Sequence, residues 1–369
     1  MKCPLCGGEM IRHGKTSAGS QRWRCKSCNA TETRTINNDA KLLNIFLDWL
    51  LSGKLMADMP GGGRTFRRKT SKFWQVWPMP PLIDEIHHVI FVDGIYLGRK
   101  AVILIARSEK FVLGWYLART ENSRAWMALM DRIPAPDVVV SDGGAGFEKA
   151  RRKVWPGTKV QRCAFHAFCQ VKRYTTSRPK LPAGAQLYML AKDMLHIKDA
   201  DQMTAWLVRY SAWCVRWHDF LEERTNIDGR LTLTHERLVN AKNSLDVLIR
   251  KATLFTFLDP ALNSEGTIPA TNNKIEGAVN APLRQMLRDH RGLSLIRRIK
   301  AVFWWCYMHT EMPLSLSEML RVMPTDVDIE KYYSDLSEQQ KFHDTIPSWG
   351  DAVVWGEFHV SKPYRMDWD

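Results

Sequence analysis

Long apolar runs are missing from this chain. Its most apolar stretches, residues 42–51 and 301–308, fall far short of the roughly 20 residues that cross a bilayer, and Asn44 and Asp48 interrupt the first. No membrane partner is expected. An apolar signal core is also missing behind the opening Met1-Lys2-Cys3-Pro4, which predicts a cytoplasmic protein that is not exported. Negative charge is scarce: 39 Asp and Glu stand against 53 Lys and Arg, a formal net charge of +14 over 369 residues. That excess points to a polyanionic partner, nucleic acid before an anionic surface, because Lys and Arg neutralise phosphates and release their counterions. The length predicts two or three domains.

Cysteine is sparse and unevenly placed. Four of the eight fall in one pattern, and Cys163, Cys169, Cys214 and Cys306 are scattered, which excludes a disulfide framework of the small secreted kind. The pattern is Cys3-Pro-Leu-Cys6 and Cys25-Lys-Ser-Cys28, with 18 residues between the pairs. Each pair offers two thiolates from one tight turn, and two such turns close a tetrahedral Cys₄ site. Four thiolates leave no open position, so the expected ion is a structural Zn²⁺ in a zinc ribbon spanning residues 1–36. A redox dithiol would leave the second pair unexplained. Residues 21–24 read as a strand, and Arg22 and Arg24 on it are candidate DNA contacts.

Leu42, Ile45, Phe46, Trp49 and Leu50 recur at helical spacing, with Asp39 as the expected cap and Gly53 as the stop. A second segment crosses Pro60-Gly61-Gly62-Gly63 into the basic Arg64, Arg67, Arg68 and Lys69. Residues 37–80 therefore read as a helix-turn-helix-like DNA-binding segment, a basic linker being the plainer alternative.

From residue 86 the pattern changes to three short strands joined by tight links, then helix (residues 121–132), strand, helix, strand. This order predicts an α/β (α+β) fold with a ribonuclease-H-like mixed sheet over residues 86–310. Asp93 interrupts an apolar strand, where a carboxylate is costly to bury without a partner or a metal. Asp142 follows the fourth strand, which should lie beside the first. Clustered carboxylates of this kind hold two divalent ions for phosphodiester chemistry. Two acids are too few, so a third is expected. Glu276, opening a helix after Thr271-Asn272-Asn273, is the candidate, with Glu148 and Glu265 as rivals. Residues 170–268 read as a helical insertion without strand-like runs, and Trp206, Trp213 and Trp217 as one buried helix face. Arg284, Arg288 and Arg291 begin a basic helical run suited to phosphates. Residues 311–369 form a C-terminal segment without evident chemistry.

Taken together, Val92-Asp93-Gly94, Ser141-Asp142-Gly143, Cys163-Ala-Phe-His166, Thr271-Asn272-Asn273-Lys-Ile-Glu276 and the N-terminal Cys₄ module resemble a DDE transposase of the Mutator-like superfamily of bacterial insertion sequences. The resemblance implies that Asp93, Asp142 and Glu276 bind Mg²⁺ or Mn²⁺. It also implies cleavage of transposon ends and strand transfer into target DNA, with the terminal inverted repeats and the target as DNA partners. Synapsis of two ends suggests a homodimer or a higher oligomer. Cys163, His166 and Asn272 are expected near the site. Two other classes stay open at this level: a zinc-ribbon DNA-binding regulator with a non-catalytic ribonuclease-H-like part, and a nuclease of the same fold that only hydrolyses.

Overall fold

The computed structural model describes residues 1–17, 19–33 and 37–340. Parts of two predicted regions, Ala18 with residues 34–36 of the ribbon and residues 341–369 of the C-terminal segment, lie outside the described residues. The ribbon is a three-stranded antiparallel sheet of β1 (Met10–Lys15), β2 (Gln21–Cys25) and β3 (Thr31–Thr33). Among its described residues the buried core is Cys3, Met10 and Cys25, with Trp23 and Ala30 packed against them.

Helix α1 (Asp39–Ser52) ends on Gly53 at φ 69°, the left-handed conformation glycine adopts most readily. Asp39 does not cap it. Asn38 holds the cap position, and Asp39 is the first helical residue, its carboxylate paired with Lys72 at the helix end that favours negative charge. The Pro-Gly segment does not carry a continuous helix. A 3₁₀ turn (Met56–Asp58) is followed by α2 (Gly62–Thr70) and a second 3₁₀ turn (Ser71–Gln75).

The central sheet has strand order β6-β5-β4-β7-β8. Its first part is the expected antiparallel meander of β4 (Val89–Leu97), β5 (Ala101–Arg107) and β6 (Val112–Ala118). After α3 (Ser123–Met130), β7 (Val138–Ser141) joins β4 in parallel, and after α4 (Ala145–Val154), β8 (Lys159–Arg162) extends that edge. Alternation along each strand sends side chains to both faces, and each face has its own core. Ile90, Val92, Val102 and Leu104 pack with Trp126, Leu129 and Phe147 of α3 and α4. Phe91, Ile95, Ile103 and Ile105 share the opposite core with Phe46 and Trp49 of α1 and with the helices that follow the insertion.

The insertion holds α5 (Ala164–Thr175), α6 (Pro182–Asp193), α7 (Ala200–Arg216), α8 (His218–Glu222) and α9 (Glu236–Arg250) around a third core. It is not free of strands: β9 (Arg224–Ile227) and β10 (Arg230–Leu233) form an exposed hairpin. Its turn is Asp228-Gly229, both at positive φ, and Asp-Gly is a strong hairpin signal that the shortness of the flanking strands masks. Trp206 and Trp213 are core residues, their indole N–H groups donating to the carbonyls of Leu190 and Ala183.

Beyond the insertion come α10 (Asn273–Ile275), a π-helical turn (Glu276–Asn280), α11 (Ala281–Asp289), α12 (Leu295–Met308), α13 (Leu316–Val322) and α14 (Asp326–Gln340). The predicted basic run is therefore two helices, broken over residues 290–294. Among the described residues, no helix is long and apolar enough to cross a membrane.

Candidate active site and metal sites

The acids gather where the parallel pairing stops. Strand β7 pairs with β4 only through Val89↔Val138, Ile90↔Val139 and Phe91↔Val140. Carried two residues further, the same register sets Asp93 level with Asp142. Past residue 91 the β7 side of β4 is an open edge, so side chains from both sheet faces can meet there.

Asp93 is held on two sides. Its carboxylate accepts from the Gly94 N–H at 2.8 Å and from the Asn280 amide at 2.7 Å. Burial first, and then the neighbouring Asp142 charge, push the Asp93 carboxyl up to about 6 against the opposing pull of these donors. Asp142 lies in the turn before α4 and accepts from the Gly144 N–H at 3.3 Å. Gly143, at φ 85°, makes that turn, and the Arg162 guanidinium packs so closely over it that a Cβ would meet an arginine nitrogen at 2.1 Å. Arg162, at the end of β8, thereby stands beside Asp142. The sequence alone gave no reason to select it.

The third block reaches the site from the other face. The π turn Glu276–Asn280, a feature frequent at functional sites, presents Asn280 to Asp93 while Glu276 lies 3.3 Å from the His166 ring. Asn272, fully buried, ties the blocks together: its amide donates to the Val92 carbonyl at 3.1 Å, and its N–H donates to the Cys163 sulfur at 3.2 Å. Cys163 heads α5 and His166 lies in its first turn. Burial opposes ionisation of the Cys163 thiol, but hydrogen bonds from His166 and the Asn272 N–H outweigh it and lower its pKa. His166 is raised in turn, chiefly by Cys163. The rivals for the third acid are elsewhere. Glu148 is paired with Arg151 and Arg152. Glu265 sits with His88 and Asp137 at the opposite ends of β4 and β7, about 17 Å of strand from Asp93.

One acid escaped the sequence reading. Glu121 was placed inside a helix, but α3 starts at Ser123 with Asn122 as its cap, the Asn122 side chain accepting from the Ala125 N–H. Glu121 therefore lies in the link from β6 to α3. Burial first, and then the charges of Asp142 and Asp93, push its carboxyl up to about 7. Its partners come from β4 and β7, so no local pattern could have marked it.

The donor sets separate two kinds of metal chemistry. In the ribbon, Cys3 and Cys28 sulfurs are 3.6 Å apart and Cys6 and Cys25 sulfurs 3.4 Å, with all four within 4.8 Å of one another. A tetrahedron of zinc–sulfur bonds of about 2.3 Å needs sulfurs roughly 3.8 Å apart, so the set could hold Zn²⁺. At the sheet the donors are oxygens, suited to a hard cation such as Mg²⁺ or Mn²⁺. Among the described residues, Asp93, Asp142 and Glu276 do not close within 4.8 Å of one another as the thiols do. An ion pair spaced about 3.5–4 Å spreads its ligands more widely than one ion does.

The basic candidates are all exposed: Arg22 and Arg24 on the ribbon, Arg64, Arg67, Arg68 and Lys69 on α2, and Arg284, Arg288 and Arg291 around α11. A further set comes from tertiary structure alone. Lys149, Arg152 and Lys153 of α4 and Lys251 after α9 line a groove of about 620 Å³ that begins at Gly143, next to Asp142.

Residues 84–243 match the sequence family described as Transposase, Mutator family. The resemblance to Mutator-like insertion-sequence transposases is borne out. The matched stretch contains Asp93, Glu121, Asp142, Cys163 and His166 and stops before Glu276. Among curated proteins, the transposase for insertion sequence element IS905 of Lactococcus lactis subsp. lactis (strain IL1403) is 26% identical over 167 residues, 41% of this chain and 42% of that protein. The transposase for insertion sequence element ISRM3 of Rhizobium meliloti (strain 1021) is 27% identical over 162 residues, 39% of this chain and 40% of that protein. The transposase for insertion sequence element IS6120 of Mycolicibacterium smegmatis is 30% identical over 130 residues, 31% of this chain and 38% of that protein. The chain thus spans about two fifths of the length of the curated relatives it matches.

Proposed function

We propose that this protein is a transposase that binds the terminal inverted repeats of an insertion sequence, cleaves the strands there and joins them to target DNA. One observation carries the reading: the 2.7 Å bond from Asn280 to Asp93, which sets the turn bearing Glu276 against the first acid, beside the strand end bearing Asp142. Three carboxylates distant in sequence thereby face one open edge of a ribonuclease-H-like sheet.

In this reading Asp93, Asp142 and Glu276 hold divalent ions, Mg²⁺ or Mn²⁺. Such ions, when bound, supply Lewis-acid activation of the attacking oxygen and neutralise charge on the leaving oxygen. Asn280 orients Asp93, and His166 orients Glu276. Arg162 stands where it can take a phosphate oxygen beside Asp142, with planar donors suited to that anion. The groove of Lys149, Arg152, Lys153 and Lys251 carries the DNA backbone away from the acids, a contact that positions without reading sequence. The ribbon, with Arg22 and Arg24, and α2, with Arg64, Arg67, Arg68 and Lys69, contact the transposon end. The test is Asp93→Ala: it should abolish nicking and joining of end-bearing DNA in Mg²⁺ while leaving end binding within about twofold. Cutting by that variant at the wild-type rate would refute the reading, and cleavage by the wild type without any joined product would reduce it to a nuclease.

A further inference from the structure

Two glycines near the acids have backbone conformations that any residue could adopt, since neither Gly94 nor Gly146 has a positive φ. Each nevertheless sits where glycine weakens its element, Gly94 inside β4 and Gly146 inside α4. Space explains both, and in both cases the space is taken by Glu121. A Cβ on Gly94 would lie 2.2 Å from the Glu121 Oε1, and a Cβ on Gly146 would lie 2.9 Å from the Glu121 backbone oxygen. The Tyr96 hydroxyl, two residues along β4 from Gly94, donates to the same carboxylate. Glu121 is thus clamped at its backbone by α4 and the α3 cap, and at its side chain by β4. Gly94 and Tyr96 alternate with Asp93 along β4, so Glu121 approaches from the face of α3 and α4. Glu276 and Asn280 approach from the opposite face. Glu121 feels the charges of Asp142 and Asp93 from its side, and Asn280 bonds Asp93 from the other.

We propose that Glu121 is a fourth carboxylate of the divalent-ion centre, held in place by Tyr96 and by the room that Gly94 and Gly146 leave for it. The inference rests on the transposase reading, because it needs Asp93 and Asp142 to be metal ligands. A structural role for Glu121 would not call for a carboxylate within reach of the charges of two others, where like charges repel in the absence of a cation. With ions bound, four acids offer each ion more than one protein oxygen.

Mn²⁺ titration of the full-length, zinc-loaded protein, followed by electron paramagnetic resonance, tests the assignment apart from activity. Glu121→Gln keeps the size and removes the charge, and should weaken Mn²⁺ binding by about tenfold or more. Gly94→Ala keeps the charge but displaces the carboxylate, whose flexible side chain can swing away without unfolding the sheet, and should weaken Mn²⁺ binding likewise. Asp93→Asn reports on the parent reading. If Asp93→Asn loses Mn²⁺ while Glu121→Gln binds it as the wild type does, the fourth-ligand role is overturned and the transposase site stands. If Asp93→Asn also binds as the wild type does, both fall. Thermal melting without metal confirms folding: Glu121→Gln should melt as the wild type does, since the amide keeps the side chain's size and an oxygen to accept from Tyr96.

Discussion

On the proposed reading, the ribbon and the central sheet would handle metal in opposite ways. Among its described residues the ribbon core is Cys3, Met10 and Cys25, too little apolar surface to order some thirty residues against their conformational entropy. Its four sulfurs take up the space a larger core would have filled, and the N–H groups of Cys28 and Ser27 bring the Cys25 thiol down to about 6, toward the thiolate a metal needs. There the ion would make the fold. The sheet is the reverse: two cores, one on each face, stand without an ion, and rigid strands hold acids that repel one another. There the fold makes the ion site. On that reading one region would need its metal to fold, and the other would need its metal only to act.

The largest effect expected from this contrast is on the ribbon. Removing zinc should withdraw about 10–16 kcal/mol of metal-coupled folding free energy from residues 1–33. Hydrogen exchange should then show full loss of protection in β1–β3 and unchanged protection in β4–β8. Protection that survives complete chelation in the ribbon would break the comparison. At the sheet, Asp93→Ala should cost about a thousandfold or more in strand cleavage, about 4 kcal/mol of barrier, with no loss of protection anywhere. Concerted unfolding of that variant would mean the acid is structural.

Smaller effects sharpen the contrast. Asn272→Ala leaves the buried Val92 carbonyl without its donor and should cost about 1–3 kcal/mol, read from denaturant midpoints, with the ribbon unaffected. The smallest effect is on pH dependence. Glu121 in the folded chain keeps its proton up to about pH 7, against a usual value of 4.5. The folded state therefore binds more protons than the unfolded state across that window, and stability falls as pH rises through it. Asp93, at about 6 against 3.8, acts in the same direction. The metal-free melting temperature should decline from about pH 4.5 to about pH 7, and less steeply in Glu121→Gln. A rising curve that the variant flattens would reverse the assigned repulsion.

What could be read early was whatever depended on near neighbours. The strands β4, β5 and β6 announced themselves by apolar runs and short links, and the helices of the insertion by their spacing. The hairpin at Asp228-Gly229 was hidden because its strands are only four residues each and mostly exposed, so the Arg-Leu-Thr-Leu alternation of β10 is too short to stand out between long helices. Asp39 was misplaced by one position because Asn38 competes for the same role. Arg162, Asn280 and Glu121 carried no mark, since each matters only through a residue in another element.

The spacing of Cys3, Cys6, Cys25 and Cys28 was enough by itself to specify a four-thiol site, because two tight turns joined by a short hairpin have few other ways to arrange four sulfurs. The order of strands and helices likewise specified the sheet, and a mid-strand Asp93 marked the candidate site on it. Which residues join it was decided only in three dimensions. The end of β7 opens one edge of β4, and the register across that edge, together with the room left at Gly94 and Gly146, determines which side chains from both faces reach a common point.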